Sequence, residues 1–103
     1  MELLGAHVST QGGVDTAPAR AEAIGATALQ LFTKTPNQWR DPAIDEETRE
    51  TFRQEMERTG MSVALSHDSY LINLATPDKT LSARSVGSFI AELERCESLG
   101  IAY

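Results

Sequence analysis

The chain is poor in cysteine, in aromatic residues and in basic charge. A single cysteine, Cys96, stands among 103 residues, so no internal disulfide can form. That usage suits a reducing compartment, and a cytoplasmic location is expected. No apolar run approaches the roughly 20 residues that a transmembrane helix needs, so no membrane partner is expected. The opening Met1-Glu2-Leu3-Leu4-Gly5 lacks the basic segment and sustained apolar core of a secretory signal. Nine Lys and Arg face fifteen Asp and Glu, a net charge of -6, which argues against broad non-specific nucleic-acid binding through a basic footprint. Gly12-Gly13 completes neither a G-x-G-x-x-G pattern nor a P-loop, which argues against a dinucleotide or NTP site.

What remains is an ordinary globular composition, 41% hydrophobic and 23% charged. The length suits one small domain or a piece of a larger one. Three glycines punctuate the chain as helix stops, in Ile24-Gly25-Ala26, Thr59-Gly60-Met61 and Leu99-Gly100-Ile101. Each is followed by a strand-like run, and their spacing of 35 and 40 residues fits a strand, a helix and two loops. Strands are expected at Leu3–Val8, Thr27–Phe32 and Met61–Ser66, short and apolar on both faces as in a buried parallel sheet. Helices are expected over Asp15–Ile24, with Pro18 in the first turn, and over Asp45–Thr59, an acidic outer helix burying Ile44, Phe52 and Met56. A third should start at Thr76-Pro77-Asp78, with Thr76 as N-cap and Pro77 at the first helical position. Its expected core stripe is Val86, Phe89, Ile90, Leu93 and Cys96. Ile101-Ala102-Tyr103 looks like the opening of a fourth strand, and the chain is expected to be truncated there. The order β-α-β-α-β-α suits either a doubly wound sheet or part of a (β/α)8 barrel; eight such units would need roughly 280–300 residues.

In both folds the ligand site lies at the carboxyl ends of the strands. The loops there are His7-Val8-Ser9-Thr10-Gln11-Gly12-Gly13, Thr33-Lys34-Thr35-Pro36-Asn37-Gln38-Trp39-Arg40 and His67-Asp68-Ser69-Tyr70-Leu71-Ile72-Asn73-Leu74. Both histidines and the one tryptophan fall on this face. Lys34 and Arg40 offset Asp41 and Asp68, so the acidity sits on the helices and the loop face is open to a polyanion. Each feature has a plain structural reading beside a functional one. His67 and His7 are either hydrogen-bonded strand ends or catalytic or metal-binding groups. Tyr70-Leu71-Ile72 either packs under a neighbouring loop or projects as an apolar wedge of the kind that enters DNA base steps. Trp39 beside Arg40 is either a stacking pair for bases or a loop anchor. Cys96 reads as core.

Gly5-Ala6-His7-Val8-Ser9 with Gly12-Gly13 resembles the opening of the endonuclease IV family. Leu31-Phe32-Thr33-Lys34 with Gln38-Trp39-Arg40 resembles its second strand and loop, and His67 to Leu74 its third. Arg95-Cys96-Glu97 and Leu99-Gly100 continue the match, which covers essentially the whole chain. The resemblance implies that residues 1–103 are a single partial domain. That domain is the N-terminal portion of a (β/α)8 TIM-type barrel, with three βα units and the start of a fourth strand. It implies hydrolysis of DNA 5′ to abasic sites with three zinc ions, and duplex DNA containing an abasic site as partner. His67 would be a zinc ligand. Tyr70 and Leu71 would be inserted at the lesion, and Asn37, Gln38 and Trp39, with Ser9 and His7 of the first loop, would contact DNA. Asn37 stands where some relatives have arginine. A monomeric full-length parent is expected, with this chain alone inactive because most metal ligands would lie beyond Tyr103. The alternatives are a metal-dependent sugar isomerase or epimerase of a related barrel, which has no need of an exposed Tyr-Leu wedge, and a stand-alone α/β binding module.

Overall fold

A computed structural model describes residues 2–103. Strands β1 (Gly5–His7), β2 (Ala28–Leu31) and β3 (Val63–Ser66) form a wholly parallel sheet in the order β1-β2-β3. Ala6 sits opposite Leu29, and Leu29 opposite Ala64. The strands lie within the expected runs and are shorter. Between them run α1 (Ala17–Ala23), α2 (Glu46–Thr59) and, after β3, α3 (Lys79–Leu99). A 3-10 turn at Val14–Thr16 precedes α1, so the expected start at Asp15 is helical but not yet α-helical, and Pro18 falls in the first α-turn. The three stop glycines, Gly25, Gly60 and Gly100, all have φ between 72° and 78°, a left-handed backbone that a side chain would strain.

The sheet has one covered face. Val8, Leu29, Leu31 and Ala64 point to the helices and join Val14, Ala17, Ala21, Phe52, Met61, Leu99 and Ile101 in one core. The opposite row, with Gly5, His7 and Leu65, is exposed. A doubly wound sheet carries helices on both faces; three helices on one face are the arrangement of a barrel segment. The expectation that both sheet faces are buried therefore holds only for the helix side within this chain.

Two expectations for α3 are corrected. Its N-cap is Asp78, whose Oδ1 accepts from the Leu81 amide at 2.7 Å; Thr76 and Pro77 precede the helix, and Thr76 Oγ1 accepts from the Asp78 amide. Its buried side is Ser85, Ser88, Glu92, Arg95 and Leu99; of the expected stripe Cys96 packs against the core and Phe89 is half-buried, while Val86, Ile90 and Leu93 are exposed. Both rows have helical spacing, and periodicity alone does not choose between them. The surface under α3 decides it. There the end of β3 presents Ser66 and the segment after β2 presents Thr33 and Lys34, and polar side chains must meet polar partners when buried. In α2 the expectation holds: Phe52 is buried, and Ile44 and Met56 pack against the core. After Gly100 the chain turns back beside β3. Ile101 is buried, and the Ser66 amide donates to the Tyr103 carbonyl at 2.8 Å. These residues occupy the place of a fourth strand without forming regular strand.

Candidate functional site at the carboxyl ends of the strands

Each strand delivers one ring to the open side of the sheet. β1 ends on His7, Phe32 follows β2, and His67 follows β3 with its amide donating to the Leu31 carbonyl at 2.9 Å. Phe32 lies at the centre of the group. Its ring centroid is 4.7 Å from His7, 4.8 Å from His67 and 5.2 Å from Tyr70. The two imidazoles are 6.0 Å apart, and Tyr70 is 5.9 Å from His67. Edge-to-face contacts of this kind set ring orientation as well as burying area. Tyr70 is 67% exposed despite these contacts, and Leu71 is half-buried.

The two histidines present different atoms. His67 Nδ1 lies 2.7 Å from the Asp68 carbonyl. A carbonyl only accepts, so Nδ1 carries the proton and Nε2 offers its lone pair. His7 Nδ1 lies 2.9 Å from Gln30 Nε2. That amide nitrogen only donates, so the proton of neutral His7 sits on Nε2. Burial, and then the charge of His67, hold the His7 imidazole below its ordinary pKa and favour this neutral form. His67 thus presents a lone pair and His7 an N–H on their second ring nitrogens. Burial pushes the neighbouring Asp68 carboxyl up, against the hydrogen bond it accepts from the Ser69 amide. Among the described residues no group of three or more His, Cys, Asp or Glu side chains converges as a metal site.

The second loop is folded around its own lysine. Lys34 Nζ donates to the carbonyls of Gln38 at 3.0 Å and Arg40 at 3.2 Å, and pairs with Asp41 at 2.9 Å. Burial pushes the Asp41 carboxyl up, but hydrogen bonds from Lys34 and Ser88 and the charge of Lys34 outweigh it and hold the group below the ordinary carboxylate range. Lys34 is buried, so of the two loop bases only Arg40 faces solvent, and the loop face is less open to a polyanion than its charges suggest. Asn37 and Gln38 are exposed at the loop tip. Trp39 is half-buried, with the Arg84 guanidinium 4.5 Å from its ring centroid, so one face of the indole is taken by α3. Ser9 is exposed in the first loop; its hydroxyl accepts from the Gln11 amide and its carbonyl from Arg20.

The structure therefore brings together His7, His67 and Tyr70, and leaves Ser9, Asn37 and Gln38 on separate loop surfaces. Sequence reading missed Phe32 as the hub and Gln30 as the partner of His7. Gln30 was detectable as the one polar residue in an otherwise apolar strand. It also missed the burial of Glu92 and Arg95.

Comparisons with known proteins bear on the fold. A family model described as a xylose isomerase-like TIM barrel matches residues 18–103. Probable endonuclease 4 of Chlorobium phaeobacteroides (strain BS1) is 50% identical over 103 residues, covering 98% of this chain and 36% of that protein. Probable endonuclease 4 of Chloroflexus aurantiacus (strain ATCC 29366 / DSM 635 / J-10-fl) is 45% identical, covering 100% of this chain and 36% of that one. The crystal structure of endonuclease IV from Thermus thermophilus superposes with a TM-score of 0.87 at 38% identity, over 94% of this chain and 36% of that chain. The chain thus spans little more than a third of the length of these relatives.

Proposed function

The chain belongs to the xylose isomerase-like TIM-barrel family, and from that premise we propose that it is the DNA-reading part of a zinc-dependent repair endonuclease that hydrolyses the phosphodiester 5′ to abasic sites. The observation that carries this reading is the ring cluster itself: an exposed Tyr70 packed against an imidazole whose Nε2 is free.

His67 Nε2 is the donor in this chain that suits zinc. Imidazole is a preferred zinc ligand, and a carbonyl on the other ring nitrogen is the usual way such a ligand is oriented. Further ligands for a cluster of three ions would come from outside these residues. Zinc held there supplies the Lewis acidity that activates water and offsets the charge of the phosphodiester. The remaining work falls to the chain. Tyr70 and Leu71 fill the space left by the lost base, and an abasic nucleotide, having no stacking to lose, costs less to displace than an intact one. His7 donates from Nε2 to a phosphate oxygen. Ser9, Asn37, Gln38 and the free face of Trp39 contact the strands on either side, fixing register more than sequence.

The test uses a full-length protein made by joining this chain to the remainder of the Chlorobium phaeobacteroides relative. Replacing Tyr70 and Leu71 together by Ala should weaken binding to a duplex with one abasic analogue far more than binding to intact duplex, since the wedge offsets an unstacking cost of a few kcal/mol. Thermal stability should change little, because exposed substitutions usually cost within about 0.5 kcal/mol and Leu71 adds only a half-buried side chain. A large loss of stability with both affinities falling alike would sink the wedge. The family description favours a second reading, a metal-dependent sugar isomerase of the same barrel type; on that reading the double substitution would leave DNA binding unaltered.

A further inference from the structure

The strand ends meet α3 through a set of paired charges, of which Lys34, Glu92 and Arg95 are buried and Asp41 lies at the solvent edge. Glu92 accepts from the hydroxyls of Thr33, just after β2, and Ser66, at the end of β3. Arg95 donates through Nη2 to Glu92 at 2.8 Å, through Nε to Thr33 at 3.0 Å and through Nη1 to Asp41 at 3.1 Å. Asp41 also accepts from Lys34 and, at 3.2 Å, from Ser88. Lys34, Arg95, Asp41 and Glu92 sum to zero, and no buried side-chain polar atom among the described residues lacks a partner. A satisfied buried network of this kind is weak evidence for stability, since apolar replacements of equal volume are often neutral or better. Its worth lies in geometry, because a network with one satisfied arrangement fixes what is attached to it.

Attached to it are the two loops of the candidate site. The second loop closes on Lys34 through the Gln38 and Arg40 carbonyls, on either side of Trp39. Within that closed loop the Pro36 carbonyl points to the third loop. It accepts from Ser69 Oγ at 2.6 Å and from the Tyr70 amide at 3.0 Å. Ser69 is buried, and its hydroxyl also accepts from the Leu71 amide. The far end of the third loop is pinned where the Asn73 amide donates to Ser85 Oγ, a fully buried hydroxyl of α3.

We propose that Lys34 and Arg95, with Ser69, are positioning residues that lock the Asn37–Trp39 loop to the Tyr70–Leu71 loop as one rigid reader, and that Lys34 is not a phosphate contact. The proposal rests on the reading of these loops as DNA-reading. Lys34 is a base in a DNA-facing loop, but its ammonium is turned inward and fully engaged. Tyr70 takes its backbone position from Pro36, and Pro36 from the ring around Lys34.

The experiment uses the full-length protein described above with Lys34→Met and, as a milder variant that strands no charge, Ser69→Ala. Two measurements are made on each: amide hydrogen exchange at residues 37–40 and 70–72 without DNA, and affinity for abasic-analogue and intact duplex across a salt series. Both variants should speed exchange in both segments together. Each should cut the preference for abasic over intact duplex by about fivefold, the equilibrium worth of one hydrogen bond. The salt slope should stay that of the unsubstituted protein. A fall in slope of about 0.9 for Lys34→Met, with both duplexes weakened alike, would mean a phosphate contact and overturn the proposal. Unchanged exchange at Tyr70 in Ser69→Ala would overturn it too, and that variant decides the matter if Lys34→Met does not fold. An unsubstituted protein with no preference for abasic duplex defeats the functional reading instead, and the exchange data then decide the coupling of the loops alone.

Discussion

His67 donates from Nδ1 to the Asp68 carbonyl, and His7 receives at Nδ1 from Gln30. Two residues of one type, 6.0 Å apart, therefore offer a lone pair and a proton to the same space, and the difference comes from one hydrogen-bond partner each. Ring spacing alone would have assigned them the same role. In the full-length protein, His67→Ala should lower both zinc content and turnover. Elemental analysis of the purified variant checks it. Unchanged zinc stoichiometry would leave His67 with only the structural role of closing the β3 end.

At the scale of elements, α3 is the most informative piece, because it carries the loop-fixing network on one side and an apolar row on the other. Its start is set by Asp78, so Asp78→Ala should destabilise the full-length protein by about 1 kcal/mol, as loss of an N-cap does. Thr76→Ala should cost less, and denaturant midpoints of the two variants compare them; the reverse order would return the cap to Thr76. Strand and helix positions were legible in the sequence because glycine stops, apolar runs and an acidic outer helix are local signals. The buried side of α3 was not legible. Which of two helical rows faces inward depends on what lies under the helix, and that is known only once Thr33, Lys34 and Ser66 are brought beneath it. For the same reason the site was only half visible. Strand ends announced His7, His67 and Tyr70, whereas Phe32 read as ordinary strand and Lys34 read as surface charge until the loop closed on it.

At the scale of the molecule, helices cover one face of the sheet and the ring cluster stands at the edge of the other. Among the described residues no three His, Cys, Asp or Glu side chains converge on one point, whereas zinc in a protein site takes four positions. The 103-residue chain by itself should therefore not incise a duplex with an abasic analogue, even with added zinc. A gel incision assay reads this directly, and cutting that depends on metal and vanishes in His67→Ala would show the expectation wrong. The Pro36 carbonyl, shared by Ser69 and Tyr70, carries a consequence for redesign. Loops at the end of a barrel are commonly treated as modules to be exchanged one at a time. Here a transplanted second loop would arrive without the acceptor that its neighbour needs, and a transplanted third loop without the donors. Exchange of recognition between members of this family would have to move both loops together with Ser88, Glu92 and Arg95, as a single heritable cassette.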